Sequence, residues 1–436
     1  MDIQKELDLP FPLRPYQEEG VGFLESNDRA LLGDDMGLGK TVQTIVALKK
    51  LYKKVGVFRC LLVVPSSLIT NWVNEFKIWF PKVKITVVKG DKKNRDSQFM
   101  HTDGFIICSY EQMRNSYDFT HSFRDYEVVI YDEAQRLKNK ESKSHIAAKY
   151  ISSEKLWMLT GTPLENSEED LKNISSFIDS KLITGFDTPS DMKIKIKSFM
   201  LRRLKTEVLT ELPELIEENK YIDMTFNQKK EYNSLYSSRK GLNRKDSGSL
   251  LGLITELKKA CNFAPESRES AKMDYLNEIL DEVSRKGEKV IIFSQYVKTL
   301  EEINKSLKIK SHLYHGKMKA EDKDKTLNEY KNEKGFSLLL MSLKAGGVGL
   351  NLQEASTIIL FDRWWNPATE SQAIARAHRM GNKSSVHAIK FVTSGTIEER
   401  ILDLLHEKKE LFEFVIDEDI KKGSNDKLLE ILELKE

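Results

Sequence analysis

The segment GDDMGLGKT, which ends at Thr41, has the residue types and spacing that phosphate binding requires. Gly37 and Gly39 lack a Cβ atom and let backbone amides approach phosphate oxygens, and the helix predicted to follow adds positive potential. Lys40 would neutralise the outer phosphates of a nucleotide, and the Thr41 hydroxyl would bind magnesium. The strict pattern has glycine where this chain has Asp34, so a structural glycine-rich turn is the alternative interpretation.

Two adjacent carboxylates, Asp132 and Glu133, directly follow the apolar run VVIY. The run predicts a strand, and open α/β sheets bind their ligands beyond the carboxyl ends of their strands. Asp132 would hold magnesium, and Glu133 would act as the general base that activates water. An Asp-Glu pair is more often a surface turn, but the buried strand before it and the upstream phosphate loop favour catalysis.

The segment QAIARAHRM places Gln372, Arg376 and Arg379 at intervals of four and three, which predicts one face of a helix. A planar guanidinium can stabilise the charge on a transferring phosphoryl group better than lysine can. Solvated surface arginines are the alternative. The glycine-rich KAGGVGLNL and the aromatic DRWWNP, which precede this segment, favour a built catalytic site.

Short apolar runs that alternate with helical patterns must position these groups. The runs lie at 61–65, 104–109, 128–133 and 157–162, and again at 289–295, 312–316, 337–342, 357–362 and 387–392. Such alternation predicts an α/β fold with parallel sheets flanked by helices. The residues from about 165 to 285 have a helical pattern, and so does the chain from Thr396 onward, so we expect two α/β lobes with a helical region between them.

Composition limits the functional classes. The 436 residues include 40% hydrophobic and 31% charged residues, and 69 basic against 67 acidic side chains leave a net charge of +2, so any nucleic-acid footprint must be local. The three cysteines form no CxxC pair, which argues against a zinc site or a disulfide framework. We expect a cytoplasmic protein without a signal peptide or membrane span, associated with the nucleoid if the source is prokaryotic.

The order and spacing of these motifs resemble the Swi/Snf branch of superfamily-two helicase motors. The resemblance covers roughly residues 11–405, and DRWWNP and LRRLKTEV are its most specific parts. It is carried by LRPYQEEGVGFL (13–24), GDDMGLGKT (33–41), VVPSSLITNW (63–72), YDEAQRLKN (131–139), LTGTPLEN (159–166), FMLRRLKTEV (199–208), SLKAGGVGLNL (342–352) and QAIARAHRMGN (372–382).

The resemblance implies a fold, a set of ligands and several residue roles. It implies two RecA-like lobes, with lobe 1 at 1–204, helical insertions at 205–270 and lobe 2 with C-terminal helices at 271–436. ATP and magnesium are the implied ligands. Gln17 would read the adenine, Thr160 and Thr162 would couple hydrolysis to lobe movement, and Arg376 and Arg379 would reach the γ-phosphate.

The chain departs from the family pattern at three places near these motifs. Asp35 stands where glutamate is common, Gln135 where many members have histidine, and Asn382 where glutamine is usual. None of these changes removes a group that hydrolysis needs. The residue composition and the lack of accessory modules resemble a bacterial, archaeal or viral motor, such as the RapA/HepA-like proteins, more than a eukaryotic remodeller.

We expect an ATP-dependent translocase that moves on double-stranded DNA without separating the strands and displaces or remodels bound proteins. It would work as a monomeric motor, with a separate protein subunit for targeting. Phosphate contacts would position it on the duplex, although capping and turn roles are the alternative for serine and asparagine. A helicase that unwinds DNA or RNA and a nucleotide-gated DNA clamp are the other functions left open. The predicted contact residues are Ser66, Ser67, Ser109, Tyr110, Thr162, Asn166, Ser294, Gln295, Ser342 and Trp364.

Overall fold

The chain divides into two compact units, residues 1–210 and 211–436, in a computed structural model. Each unit is built on one parallel sheet. The predicted division into lobe 1, helical insertions and lobe 2, with boundaries after residues 204 and 270, stays a prediction. The structure describes residues 3–56, 58–116, 126–161, 168–179, 187, 189–209, 213–243, 246–343, 350, 352–364, 367–379, 382, 384–407, 429 and 431–433.

Seven described strands form the sheet of the first unit, in the order β3-β4-β2-β5-β6-β1-β7, and every pairing is parallel. Helices connect the strands, as a parallel sheet requires. The strands are β1 Arg29–Leu32, β2 Cys60–Val64, β3 Ile85–Val87, β4 Phe105–Ser109, β5 Tyr126–Asp132, β6 Ser153–Leu159 and β7 Met200–Leu201. The helices are α1 Ile3–Leu7, α2 Pro15–Ser26, α3 Lys40–Val55, α4 Ile69–Trp79, α5 Lys92–His101, α6 Tyr110–Asn115, α7 Lys143–Lys149, α8 Glu168–Ile178, α9 Pro189–Lys197 and α10 Lys205–Val208.

Six described strands form the sheet of the second unit, in the order β10-β11-β9-β12-β13-β8, again with parallel pairings. The strands are β8 Leu215–Ile222, β9 Lys289–Ser294, β10 His312–Tyr314, β11 Ser337–Ser342, β12 Thr357–Leu360 and β13 Val386–Thr393. The helices are α11 Phe226–Ser237, α12 Ser247–Asn262, α13 Ala271–Lys286, α14 Val297–Ser306, α15 Ala320–Asn332, α16 Pro367–Ala377 and α17 Ile397–Glu407.

The inner strands of the second sheet are buried on both faces, which explains why they are continuous apolar runs in the sequence. In β9, Ile291 and Phe293 belong to one hydrophobic cluster, while Val290 and Ile292 belong to another. Successive side chains of a strand point to opposite faces, so the two clusters lie on opposite sides of the sheet. The predicted α/β class, with parallel sheets flanked by helices, is therefore confirmed.

The prediction of a helical region from 165 to 285 is wrong at two places. Met200–Leu201 is a short strand that extends the first sheet beside β1, and Leu215–Ile222 pairs along its whole length with β13 in the second sheet. The sequence of β8, LIEENKYI, gives no apolar run because most of its residues are exposed at the sheet edge. Its pairing partner lies about 170 residues further along the chain, so no local pattern marks it as a strand.

A third packed region belongs to the second unit. Helices α11, α12 and α17 share a hydrophobic cluster with Ile431 and Leu432 near the C-terminus. The expected helix after Thr396 is thus present as α17, and residues 408–428 lie outside the described part. In the described part of the chain, the structure contains no helix of sufficient length and hydropathy to cross a membrane.

Candidate active site

The phosphate loop connects β1 to α3, the helix that the sequence predicts after the loop. Gly37 and Gly39 have φ angles of 89° and 79°, in the left-handed region that glycine adopts without strain. Helix α3 begins at Lys40, directly after Gly39, and Thr41 lies half-buried in its first turn. The amides of this first turn have no partner within the helix and lie next to the loop, which is the arrangement that binds anions.

The Lys40 ammonium lies close to the loop that precedes it. Its Nζ donates to the carbonyl oxygens of Asp34 at 2.6 Å and Asp35 at 3.3 Å. Burial lowers the pKa of Lys40, and the nearby carboxylates of Glu133 and Asp132 oppose this shift. The lysine of the loop and the predicted acid pair thus belong to one electrostatic environment.

Gln17 lies on helix α2, beside the phosphate loop. Its Nε2 donates to the Leu38 carbonyl at 3.3 Å, and its Oε1 accepts from the Arg14 amide at 3.0 Å. A Cβ atom on Gly39 would lie 2.6 Å from Gln17 Nε2, so this close approach requires glycine. The predicted adenine-reading residue and the loop are therefore in direct contact.

Asp132 is the last residue of β5, and both of its carboxylate oxygens have donors. The indole Nε1 of Trp72 donates to Oδ2 at 2.8 Å, and the Glu133 amide donates to Oδ1 at 2.9 Å. Burial and the neighbouring Glu133 carboxylate raise the pKa of Asp132, while the Trp72 hydrogen bond and Lys40 act in the opposite direction. These two donors fix the orientation of the carboxylate.

Glu133 has a positive φ of 52°, an uncommon conformation for this residue type that costs energy and often marks a functional site. Its Oε2 accepts from Gln135 Nε2 at 2.6 Å, and Gln135 Oε1 accepts from the Thr160 hydroxyl at 3.0 Å. Gln135 thus joins the predicted general base to the predicted coupling residue Thr160.

Sheet order brings these groups together. Strand β6 lies between β1 and β5, and Thr160 directly follows β6 with its amide donating to the Leu32 carbonyl at the end of β1. The phosphate loop, the bridge through Thr160 and the acid pair therefore leave the carboxyl ends of three neighbouring strands. This is the edge at which parallel α/β sheets bind ligands.

The residues present fit a magnesium ion bound together with a nucleotide. Each oxygen of Asp132 accepts one hydrogen bond and has further lone pairs for a cation. Thr41 supplies a hydroxyl, and magnesium usually combines one or two protein oxygens with substrate phosphates and water. The described residues contain no group of three or more His, Cys, Asp or Glu side chains that could hold a metal by itself.

The predicted arginine pair is only partly on one helix. Gln372 and Arg376 lie on α16, where Arg376 is buried, but the helix ends at Ala377. Arg379 lies beyond that end, and its amide donates to the Ala377 carbonyl at 2.8 Å. The prediction that one face of a single helix carries all three residues is therefore wrong, because the helix ends two residues before Arg379.

Four predicted nucleic-acid contacts have buried side chains. Ser109 caps helix α6 by accepting from the Gln112 amide, and the Tyr110 hydroxyl donates to the Asp132 carbonyl at 2.7 Å. Ser294 is fully buried and donates to the Asp362 carboxylate, and Ser342 is 4% exposed. Contacts between these side chains and phosphates are not supported, because their hydroxyls lie inside the first or the second unit.

The remaining predicted contacts differ in accessibility. Ser66 and Ser67 are exposed in a 3-10 helix directly after β2. Gln295 is half-buried and donates to the Arg363 carbonyl, and Trp364 is half-buried against the core of the second unit. The last two predicted residues, Thr162 and Asn166, lie outside the described residues.

Trp72 and Gln135 are site residues whose roles sequence reasoning missed. Trp72 is fully buried in α4 and holds the carboxylate of Asp132, 60 residues away. Its only sequence signal is its position at the end of VVPSSLITNW. The sequence marks Gln135 only as a departure from the pattern of the family that the motifs resemble, and its bridging role depends on the three-dimensional approach of Thr160.

The fold and the site together define a class, the phosphate-loop α/β proteins that bind nucleotides at the edge of a parallel sheet. The chain belongs to the SNF2-related family. The profile of the SNF2-related domain matches residues 16–265, and that of the helicase conserved C-terminal domain matches residues 271–381. The resemblance of the motifs to the Swi/Snf branch is thereby confirmed.

Two relatives indicate the breadth of the family. The chain is 34% identical, over 97% of its length, to an uncharacterized ATP-dependent helicase of Mycoplasma pneumoniae. It is 32% identical, again over 97% of its length, to the ISWI chromatin-remodeling complex ATPase ISW2 of Saccharomyces cerevisiae. The matches cover 44% and 43% of those proteins, so this chain spans less than half the length of the curated relatives it matches.

A solved structure is also similar in sequence. It is the Sulfolobus solfataricus SWI2/SNF2 ATPase core in complex with dsDNA, which is 29% identical, with 98% of each chain covered and a TM-score of 0.47.

Proposed function

We propose that this chain is an ATP-hydrolysing motor that moves along double-stranded DNA without separating its strands, and so displaces or remodels bound proteins. The observation that carries the ATPase part is the convergence of Lys40, Asp132 and the Thr160–Gln135–Glu133 bridge at one edge of the first sheet. Similarity to a chromatin-remodeling ATPase over 97% of the chain supports the action on DNA.

In the proposed reaction, the amides of the phosphate loop and Lys40 bind the phosphates of ATP, and Gln17 reads the adenine. Glu133, oriented by Gln135, accepts the proton of the attacking water. When bound, magnesium neutralises phosphate charge, and Thr41 and Asp132 are the residues that would hold it.

The second unit would contribute arginines to this reaction. We propose that Arg376 and Arg379 stabilise the charge that develops on the transferring phosphoryl group, with Gln372 beside them on the same segment. The Thr160–Gln135–Glu133 bridge gives a route by which a change at the end of β6 alters the orientation of the general base. Thr162 would take part in the same coupling.

The candidate DNA contacts lie in both units of the chain. The exposed hydroxyls of Ser66 and Ser67 are suited to phosphates, and we keep Gln295 and Trp364 as candidates through their accessible parts. Contacts of this kind position a protein on DNA without reading the base sequence. Thr162 and Asn166 stay predictions, as do a monomeric motor and a separate targeting subunit.

A helicase that separates strands is the second candidate, because the Mycoplasma pneumoniae relative is named an ATP-dependent helicase. The two functions differ in what happens to the duplex during hydrolysis. A translocase removes a third strand or a bound protein and leaves the duplex intact, whereas a helicase releases one of the two duplex strands.

The decisive experiment measures steady-state ATP hydrolysis at fixed salt with no nucleic acid, single-stranded DNA, double-stranded DNA and double-stranded RNA, because salt alone changes such affinities greatly. Glu133→Gln serves as the inactive control. Stimulation chiefly by double-stranded DNA, with displacement of a triplex strand and no unwinding of a plain duplex, supports the proposal. Efficient unwinding would establish the helicase instead, and an absence of stimulation would favour a nucleotide-gated clamp.

A further inference from the structure

Arg203, in the segment LRRLKTEV, lies in a buried polar network behind the phosphate loop. Its Nε and Nη2 donate to the two carboxylate oxygens of Asp34, at 2.9 and 2.6 Å. Asp34 is 0% exposed and Arg203 is 7% exposed. A buried, bidentate pair of this kind has a fixed geometry, and Asp34 is the residue that occupies the glycine position of the strict phosphate-loop pattern.

The same guanidinium also binds helix α2. Its Nη1 donates to the Tyr16 carbonyl and to the Glu19 carboxylate. Tyr16 directly precedes Gln17, the proposed adenine-reading residue. Arg203 therefore joins the adenine side of the site to the phosphate loop through a single side chain.

A second connection runs through Gln43 of helix α3. Arg203 Nη2 donates to Gln43 Oε1 at 2.9 Å, and Gln43 Nε2 donates to Asp34 Oδ2 and to the Leu38 carbonyl, both at 3.1 Å. The Leu38 carbonyl also accepts from Gln17. Gln17 is thus linked to Arg203 on both of its sides.

The network also reaches the phosphate-binding lysine. The Asp34 carbonyl accepts from Lys40 Nζ, while the Asp34 side chain is held by Arg203. The backbone reinforces this connection, since the Asp35 amide donates to the Arg203 carbonyl at 3.0 Å. A shift of Arg203 would therefore move the anchor of Lys40 and the anchor of Gln17 together.

Helix α2 can approach this network only because residue 20 is glycine. A Cβ atom on Gly20 would lie 1.8 Å from Gln43 Oε1 and 3.0 Å from Arg203 Nη2. On Gly22 of the same helix, a Cβ atom would meet no heavy atom within 4 Å among the described residues. A substitution at Gly22 therefore changes the same helix without touching the network, which makes it the control for a substitution at Gly20.

We propose that Arg203 is a positioning residue that holds Gln17 and Lys40 in one fixed arrangement and thereby sets nucleotide affinity and the preference for adenine over guanine. This inference rests on the proposed function, because it takes ATP as the ligand. It assigns to the LRRLKTEV segment a role in selecting the nucleotide.

The test compares Gly20→Ala with Gly22→Ala in the full chain, by equilibrium binding of fluorescent mant-ATP and mant-GTP with magnesium. Gly20→Ala keeps every charge but displaces Gln43 and Arg203. We expect the displaced Lys40 to weaken the binding of both nucleotides about tenfold and the displaced Gln17 to weaken mant-ATP about tenfold more, so the ATP-over-GTP preference should fall about tenfold; each tenfold loss corresponds to about one hydrogen bond. Gly22→Ala should leave both quantities within about twofold.

Arg203→Lys provides a second variant, because lysine keeps the charge but cannot bind Asp34, Tyr16 and Gln43 at once. Its matched control is Arg29→Lys. Arg29 begins β1, at the end of the strand away from the phosphate loop, and donates to Ser153 at 3.0 and 3.1 Å. Thermal unfolding identifies any variant that has lost its fold. If either Gly20→Ala or Arg203→Lys has done so, the other of these two variants decides the test.

A folded Gly20→Ala or Arg203→Lys protein with an unchanged ATP-over-GTP preference would overturn the inference and leave only a structural role. Binding does not need hydrolysis, so a wild-type protein that binds mant-ATP without hydrolysing ATP refutes the proposed motor and not the positioning role. A wild-type protein that binds neither nucleotide refutes both.

Discussion

Replacing Gln135 by alanine removes the side chain that joins Glu133 to Thr160. The carboxylate loses a donor at 2.6 Å, and the Thr160 hydroxyl loses its acceptor at 3.0 Å. A hydrogen bond to a charged group contributes about 1.5–3 kcal/mol. If most of this free energy serves to orient the general base in the transition state, kcat should fall about 10- to 100-fold.

The affinity for ATP should change little in this variant. Lys40 and Gln17, the groups proposed to hold the nucleotide, keep their hydrogen bonds to the carbonyl oxygens of the phosphate loop, which the substitution does not remove. We therefore expect KM to stay within about threefold while kcat falls, the pattern of an interaction made in the transition state. The assay is steady-state hydrolysis over a range of ATP concentrations with saturating DNA, and circular dichroism checks the fold.

Thr160→Val is the matched control for the second half of the bridge. It removes one neutral hydroxyl and leaves the Gln135–Glu133 bond intact, so kcat should fall only about 2- to 10-fold, which corresponds to roughly 0.5–1.5 kcal/mol. In the double variant the two losses should not add, because both act on Glu133. Turnover within twofold of wild type for Gln135→Ala, or full additivity, would refute the coupling.

Three further predictions concern other parts of the chain. Glu133→Gln should still bind ATP but lose at least about 100-fold in turnover, because an amide cannot accept the proton; single-turnover hydrolysis at near wild-type rate would contradict this. Trp72→Phe removes the donor to Asp132 and should raise the magnesium concentration for half-maximal hydrolysis about tenfold, which a magnesium titration measures. Hydrogen bonding, first from His312, lowers the pKa of Glu333 from 4.5 to about 2. The stabilisation of the fold by the Glu333 carboxylate is therefore complete above pH 4.5 and is lost as the pH falls towards 2. In urea unfolding, the Glu333→Gln variant should be less stable than wild type by roughly 1 kcal/mol at pH 7, and this difference should be smaller at pH 3.

Most central strands of both sheets could be predicted because their residues are buried on two faces. Runs such as CLLVV at β2 and SLLLMS at β11 carry the information locally. Edge strand β8 could not be predicted in this way, because most of LIEENKYI is exposed and only pairing with β13 makes it a strand. Where packing rather than residue preference selects the conformation, a single sequence gives no signal.

The candidate contacts to nucleic acid show a similar division. A hydroxyl at the end of a strand can face the solvent or satisfy a buried acid, and its residue type does not distinguish the two. Ser66 is exposed after β2, whereas Ser294 at the end of β9 is used inside its unit by Asp362. The difference depends on which neighbours the fold supplies.

The sequence by itself determined the phosphate loop, with Lys40 at the start of a helix, and the acid pair at the end of a buried strand. These features need only neighbouring residues, since a turn, a helix start and a strand end are local. The tertiary structure alone decided that Gln135 meets Thr160 and that Arg203 meets Asp34, partners 25 and 169 residues apart. Such contacts form only when separate strands are brought side by side, which is why the roles proposed for them in catalysis and nucleotide selection could not be inferred from spacing.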